Sequence, residues 1–439
     1  MIHDEGQTPP LAQRPASDQV CLHAQLRTTY SVLNTTDRLT INYGLLLTFS
    51  IHQFFIMWWL WVSSWLVITT VLLPAHAYKA LSDDTLLHVP LPETADFDIH
   101  TGNLLAPILI PRVPGTEGSR KVLQHFVDFF RTSLPTWTVS FQNSTSKTPT
   151  HGDTEVPFVN LIARRDPPWS QPGNVGRLTL VAHYDSKYSP DGFIGATDSA
   201  APCAMIMHAI RSIDDALTRK WTNMQAQGDI DLDFEEDKGI QVLFLDGEEA
   251  FKDWTATDSI YGARSLAEEW EHTMHPATSI YKSPLDSIEL FVLLDLLGSP
   301  ENLPIPSWQH SSHWSYVKMA ETEHRLRQLG MFKSNPKHIW LPEKDKKDTD
   351  KFSSYVMQDD HIPFIARGVQ VLHLIPSRFP SVWHRITDDG EHLDLPTVED
   401  WALLTSVFAA EYMELDGFFG KPATEHAKRH DPYTSKTEL

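Results

Sequence analysis

Cysteine is nearly absent from this 439-residue chain: there are two, Cys21 and Cys203. They lie on opposite sides of a long hydrophobic segment, so pairing between them is not expected and no disulfide framework exists. The fold must be held by its core. An excess of basic charge is lacking too. Against 57 Asp and Glu there are 36 Lys and Arg, the net charge is −21, and nothing resembles the basic stripe that nucleic-acid binding needs. No internal repeat is evident. Six of the acids crowd into nine residues (Asp229, Asp231, Asp233, Glu235, Glu236 and Asp237) and read as a solvated loop with no function assigned. What the chain does have is apolar mass. Hydrophobic residues make up 41% of it, enough for a large core.

Residues 54–73, FFIMWWLWVSSWLVITTVLL, carry no charge, and about 20 apolar residues span a bilayer. Two readings compete. As a signal anchor, the segment follows Arg14, Arg27 and Arg38 and precedes Lys79, Asp83, Asp84, Glu93 and Asp96, which places the N-terminus in the cytosol. As a signal peptide, it ends at the A-x-A site Ala75-His76-Ala77, the mature protein starts near Tyr78, and Met57 is an alternative start. Four tryptophans and the length disfavour a buried soluble helix. Both readings put the segment in residues 54–77 and everything after about 78 in the secretory lumen or outside, secreted or membrane-anchored. Asn143-Ser144-Thr145 is then a candidate glycan site, whereas Asn34-Thr35-Thr36 stays cytosolic in the anchored form. Residues 1–53 and the tail 421–439 read as disordered, leaving 78–420 as the folded domain.

Within that domain strand-like runs fall at 158–163, 177–183, 240–245, 288–295 and 369–375. Helical spacing of Val122, Leu123, Phe126, Val127 and Phe130 marks one helix, and others are expected at 199–213, 260–272, 313–329 and 398–415. The last opens on Thr397 with Asp400 three residues on, resembling a capping box. Apolar strands alternating with helices predict an α/β fold: a single globular domain with a central twisted mixed, largely parallel β-sheet flanked by helices.

Strand ends carry the chemistry. The run Ile240–Leu245 breaks at Asp246-Gly247 into Glu248 and Glu249, two acids that repel unless a positive charge sits there. A solvated helix N-terminus would also explain them. The run ending at His183 leads to Asp185 and Asp198; Asp295 ends another; His373 and His384 follow a third. Singly, Asp198 reads equally as a helix N-cap, His373 as a core histidine and Asp295 as a hydrogen-bonding strand-end acid. Together they point to a metal, and His with Asp and Glu but no cysteine suits catalytic zinc.

The segments HYDSK at 183–187, GATDSA at 195–200, DGEEAF with Trp254, DSIYGAR at 258–264, LLDLLG at 293–298, QDDHIPF at 358–364 and VLHLIPSRFPSVWH at 371–384 resemble the glutaminyl-peptide cyclotransferases (glutaminyl cyclases), within the zinc aminopeptidase-like superfamily. They cover most of the chain from about 85 to 415 in the family's order. The resemblance implies a zinc exopeptidase-like fold and one zinc ion per chain on Asp198, Glu249 and His384. It implies Glu248 as general acid/base beside a hydrogen-bonded acid network of Asp295 and Asp359, and a substrate pocket of Trp254, Gln358, Phe379 and Trp383. The implied reaction is an acyl transfer: N-terminal glutamine of a peptide or protein closes to pyroglutamate and ammonia leaves. A monomer is expected. Some relatives carry a cysteine at the position of Ala182, paired with the one matching Cys203; here that bridge cannot form. The strongest rival is a zinc aminopeptidase on the same scaffold, since His183 and Asp295 could serve a second metal. A catalytically dead receptor domain is disfavoured by the intact Glu248 and ligand set.

Overall fold

The computed structural model describes residues 78–420 except 229–236, 335, 337 and 354–356. The membrane, leader and disorder readings for residues 1–77 and 421–439, and most of the acidic run, lie outside the described residues. Among those described, no helix is long and apolar enough to cross a membrane.

Six strands form one sheet: β1 (Thr138–Lys147), β2 (Glu155–Arg165), β3 (Val175–His183), β4 (Asp237–Leu245), β5 (Ile288–Leu294) and β6 (Val371–Leu374), in the order β1-β2-β4-β3-β5-β6. β4, β3, β5 and β6 run parallel, and β1 and β2 are antiparallel additions at one side. This is the mixed, largely parallel sheet that the sequence predicts. β3 is buried at every position, as a central strand covered on both faces must be. Period-two alternation divides the core. Leu180, Val242 and Val292 enter one apolar cluster, and their neighbours Val181, Leu243 and Leu293 enter another.

Five helices of three or more turns cover the sheet: α1 (Glu117–Ser133), α2 (Ala201–Gln227), α3 (Tyr261–His272), α4 (His313–Gln328) and α5 (Leu395–Tyr412). α3 packs on the second cluster through Leu266, Ala267 and Trp270, while the other four contribute to the first. In that first cluster Phe126 of α1 stacks on Phe244 of β4, ring centroids 4.2 Å apart. α2 runs past the expected end at 213 because Ile213, Ala216, Leu217 and Trp221 continue its buried stripe, and it stops where Gly228 takes φ 73°. α5 starts earlier than expected. Its cap is Asp394, whose carboxylate accepts the Thr397 N–H at 3.2 Å. Asp400 instead accepts the N–H groups of Lys333 and Ser334 at 2.7 and 2.8 Å, so the capping-box reading is corrected.

β1 was not anticipated. Its sequence, TVSFQNSTSK, has little apolar content because it is an edge strand with most side chains at least partly in solvent.

Candidate metal centre and active site

The parallel strands place their C-terminal ends together, the position where open α/β sheets assemble sites. β3 ends on His183, β4 runs into Asp246, Glu248 and Glu249, β5 into Asp295, and β6 carries His373. Gly247 makes the turn between Asp246 and Glu248 at φ 79°, and a Cβ there would meet the Phe158 ring at 2.3 Å. Only glycine fits. Two residues beyond β3, the buried Asp185 accepts the backbone N–H groups of Glu248 at 3.0 Å and Glu249 at 3.2 Å. One carboxylate thus ties the end of β3 to the acid pair beyond β4.

Asp198 lies in the turn Ala196–Ala200 that precedes α2, with φ −121° and ψ 73°. It is therefore not the N-cap of α2. The turn is held from outside itself. The fully buried Arg112 donates to the carbonyls of Ile194, Gly195 and Asp198, the last two at 3.0 and 3.4 Å. Asp388 accepts the N–H and hydroxyl of Thr197 at 2.8 and 3.0 Å. His384 comes from the long segment between β6 and α5, in the left-handed region at φ 55°, its ring stacked on Trp383 at 3.9 Å.

Asp198, Glu249 and His384 converge, each offering a ligand atom within 4.8 Å of the others. His384 Nε2 stands 3.6 Å from Asp198 Oδ2 and 3.5 Å from Glu249 Oε2. Burial keeps the imidazole neutral, its pKa down to about 4. Burial, and then the charge of Asp198, pushes Glu249 up to about 8 against the pull of the Lys187 ammonium, 3.1 Å away. Asp198 Oδ2 and Glu249 Oε1 are buried without a hydrogen-bond partner among the described residues. Two orphaned carboxylate oxygens beside a neutral imidazole fit a divalent cation, which would satisfy both, and one nitrogen with two carboxylates is a donor set of the catalytic zinc kind.

Two further groups have ligand-like spacing: His183 with Asp198 and Asp295, and Asp359 with His361 and His373. In the first, His183 Nε2 donates to Asp198 Oδ1 at 3.0 Å, its Nδ1 lies 3.3 Å from Asp185, and Ser199 donates its hydroxyl to Asp295. In the second, His373, kept neutral by burial at about 3, donates Nε2–H to Asp359 Oδ2 at 2.7 Å. Burial, and then Asp359, lifts Asp295 to about 6. Burial lifts Glu248 well above the ordinary carboxyl range; His183 opposes this, and Asp359, Glu249 and Asp360 add to it. Asp295 also accepts the Leu296 N–H at 2.9 Å, and Asp359 the Asp360 N–H at 2.6 Å. Both acids are thus hydrogen-bonded to neighbours, and Asp359 acts on Glu248 through its charge.

Trp254, Gln358, Phe379 and Trp383 all line one cavity of about 550 Å³, together with Asp198, Glu248, Asp295 and His384. The Trp254 indole donates to Gln358 Oε1 at 3.0 Å, and Phe379 packs on Trp383 at 4.5 Å. Glu249 and Asp359 are buried behind this wall. Sequence reasoning missed Lys187, Met357 and Ile375 in the lining, and Arg112 and Asp388 behind it. Lys187 had a signal, its place in HYDSK; Arg112 had none. Cys203 is a buried free thiol donating to the His183 carbonyl at 3.3 Å, next to Ala182.

The chain is similar in sequence and fold to known proteins. Residues 160–409, more than half the chain, match the model of Peptidase family M28. The glutaminyl-peptide cyclotransferase of Bos taurus is 36% identical over 321 residues, covering 71% of this chain and 81% of that one. The glutaminyl-peptide cyclotransferase of Drosophila melanogaster is 35% identical over 322 residues, covering 72% and 81%. Among solved structures, the glutaminyl cyclase of Macrostomum lignano superposes with a TM-score of 0.61 at 30% identity, over 78% of this chain and 97% of that one. With identity spread over most of both chains and the same fold beneath it, the chain belongs to the glutaminyl-peptide cyclotransferases, within Peptidase family M28.

Proposed function

We propose that this protein is a zinc-dependent glutaminyl-peptide cyclotransferase, acting as a monomer on peptides or proteins with an N-terminal glutamine. The observation that carries the reading is one cavity in which Glu248 stands among aromatic walls beside the convergent Asp198, Glu249 and His384. Asp198, Glu249 and His384 would hold the zinc, which when bound would supply Lewis-acid polarisation of the substrate's side-chain amide carbonyl. Trp254, Phe379 and Trp383 surround the side chain, exclude water and hold the α-amine against the carbonyl carbon of the side-chain amide, where an intramolecular attack gains from orientation. Glu248 takes the amine proton as the new C–N bond forms and passes it to the nitrogen that leaves as ammonia. A carboxyl lifted by burial binds a proton more firmly than a solvated one, which suits it to both transfers.

A single zinc per chain is supported by the hydrogen bond that commits His183 Nε2 to Asp198, one of the proposed ligands. The aminopeptidase alternative has a direct test. Metal-loaded protein is incubated with a peptide that begins with glutamine, and the product is weighed by mass spectrometry. Loss of one ammonia is the expected result; loss of a whole residue overturns the proposal in favour of peptidase action. We place the catalytic domain in the secretory pathway on the hydrophobic segment 54–73 and its flanking charges. N-terminal sequencing of mature protein separates the forms: a start near Tyr78 means cleavage and secretion.

A further inference from the structure

A second cavity, of about 460 Å³, opens where β3 begins and β2 ends. It lies at the opposite end of the sheet from the metal centre, roughly 20 Å away along β3 at the rise of an extended strand. On a chain of net charge −21 its lining is basic: Arg164, Arg165, Arg177 and His275, against one acid, Asp166.

Two of the guanidinium groups are tied to acids of the protein. Arg177 donates Nε and Nη2 to Asp166 at 2.9 and 2.7 Å. Arg165 donates Nε to Asp214 at 3.3 Å and Nη2 to Thr218 at 3.1 Å. Arg164 is different. Its Nε donates to Gln241 Oε1 at 2.9 Å and its face lies over the Trp270 ring, 5.3 Å from the centroid. Those contacts fix the plane of the guanidinium. Among the described residues its Nη1 and Nη2 have no hydrogen-bond partner. A planar, always-charged fork, held in orientation with its terminal nitrogens open, is built to grip two oxygens of one anionic group. Burial and the neighbouring Arg177 charge pull Arg164 down to about 10, so it stays charged at neutral pH in a setting that an anion would ease.

We propose that Arg164 and this cavity form a binding site, separate from the metal centre, for a small molecule bearing an oxyanion group: phosphate, sulfate or carboxylate. The cavity is larger than one such group, so the rest of the ligand has room.

The test is titration calorimetry of the metal-loaded protein with inorganic phosphate, inorganic sulfate and acetate, each compared with sodium chloride at matched ionic strength. Saturable binding at a single site by at least one of the three is expected. Preference for phosphate or sulfate identifies a tetrahedral group, and preference for acetate a carboxylate. Arg164→Lys keeps the charge and loses the fork, so binding should weaken about tenfold or more while glutamine cyclisation is unchanged. Arg164→Met should abolish binding; if that variant fails to fold, the lysine variant still decides. Equal affinity in Arg164→Lys and the unaltered protein, or no saturable binding by any of the three anions, overturns the proposal.

Discussion

Glu248 and Glu249 leave β4 side by side and meet different surroundings. Glu249 is turned toward Lys187 at 3.1 Å and His384 at 3.5 Å, whereas Glu248 lines the cavity. That difference separates the proposed ligand from the proposed proton carrier. Glu248→Gln keeps the shape and removes the ionisable group. The variant should retain its zinc by atomic absorption while turnover falls by about 10² to 10⁴, the span of general acid–base catalysis. An active variant would remove Glu248 from the mechanism. Asp198, Glu249 and His384 each sit in a motif at or beyond a strand end, and the family resemblance alone singled them out as ligands from the other acids and histidines there. Arg112 and Asp388 were not legible in the sequence, since they bond to the backbone of a turn far away in the chain. A side chain's choice of a distant peptide group leaves no spacing to read.

At the scale of elements, the acid pair depends on a crosslink between strands. Asp185, just beyond β3, holds the N–H groups of Glu248 and Glu249, just beyond β4. Asp185→Ala leaves two buried donors unpaired and frees the turn that aims Glu249 at the proposed metal site. Supports of this kind are worth 10- to 100-fold, roughly, in metal affinity or activity. Zinc competition against a chelator should show a loss of that order; unchanged affinity would mean that the turn holds itself. The buried strands were readable from apolar runs. The misplaced start of α5 has a physical cause: Asp394 and Thr397 are both good capping residues, and only the position of Lys333 and Ser334, which draw Asp400 away, settles between them.

For the whole molecule, apolar strands alternating with helices were enough to give a sheet covered on both faces. The path of the segment between β6 and α5, which delivers both His384 and Asp388, carries no periodicity and was legible only by resemblance. The fold holds without a disulfide among the described residues, with Cys203 free and buried beside the end of β3. The missing partner can be supplied. Ala182→Cys should form a bridge to Cys203 under oxidising conditions, seen as loss of free thiol, and should raise stability to unfolding by about 3 kcal/mol for a loop of this length. A variant that keeps two free thiols would show that the backbones here stand too far apart.

Asn143 lies exposed on β1, one of the two outermost strands of the sheet. The outer edge of such a strand is where a neighbouring molecule can dock its own backbone. A sugar chain attached at Asn143 would act as a bumper beside that edge, keeping the backbones of neighbouring copies from pairing there.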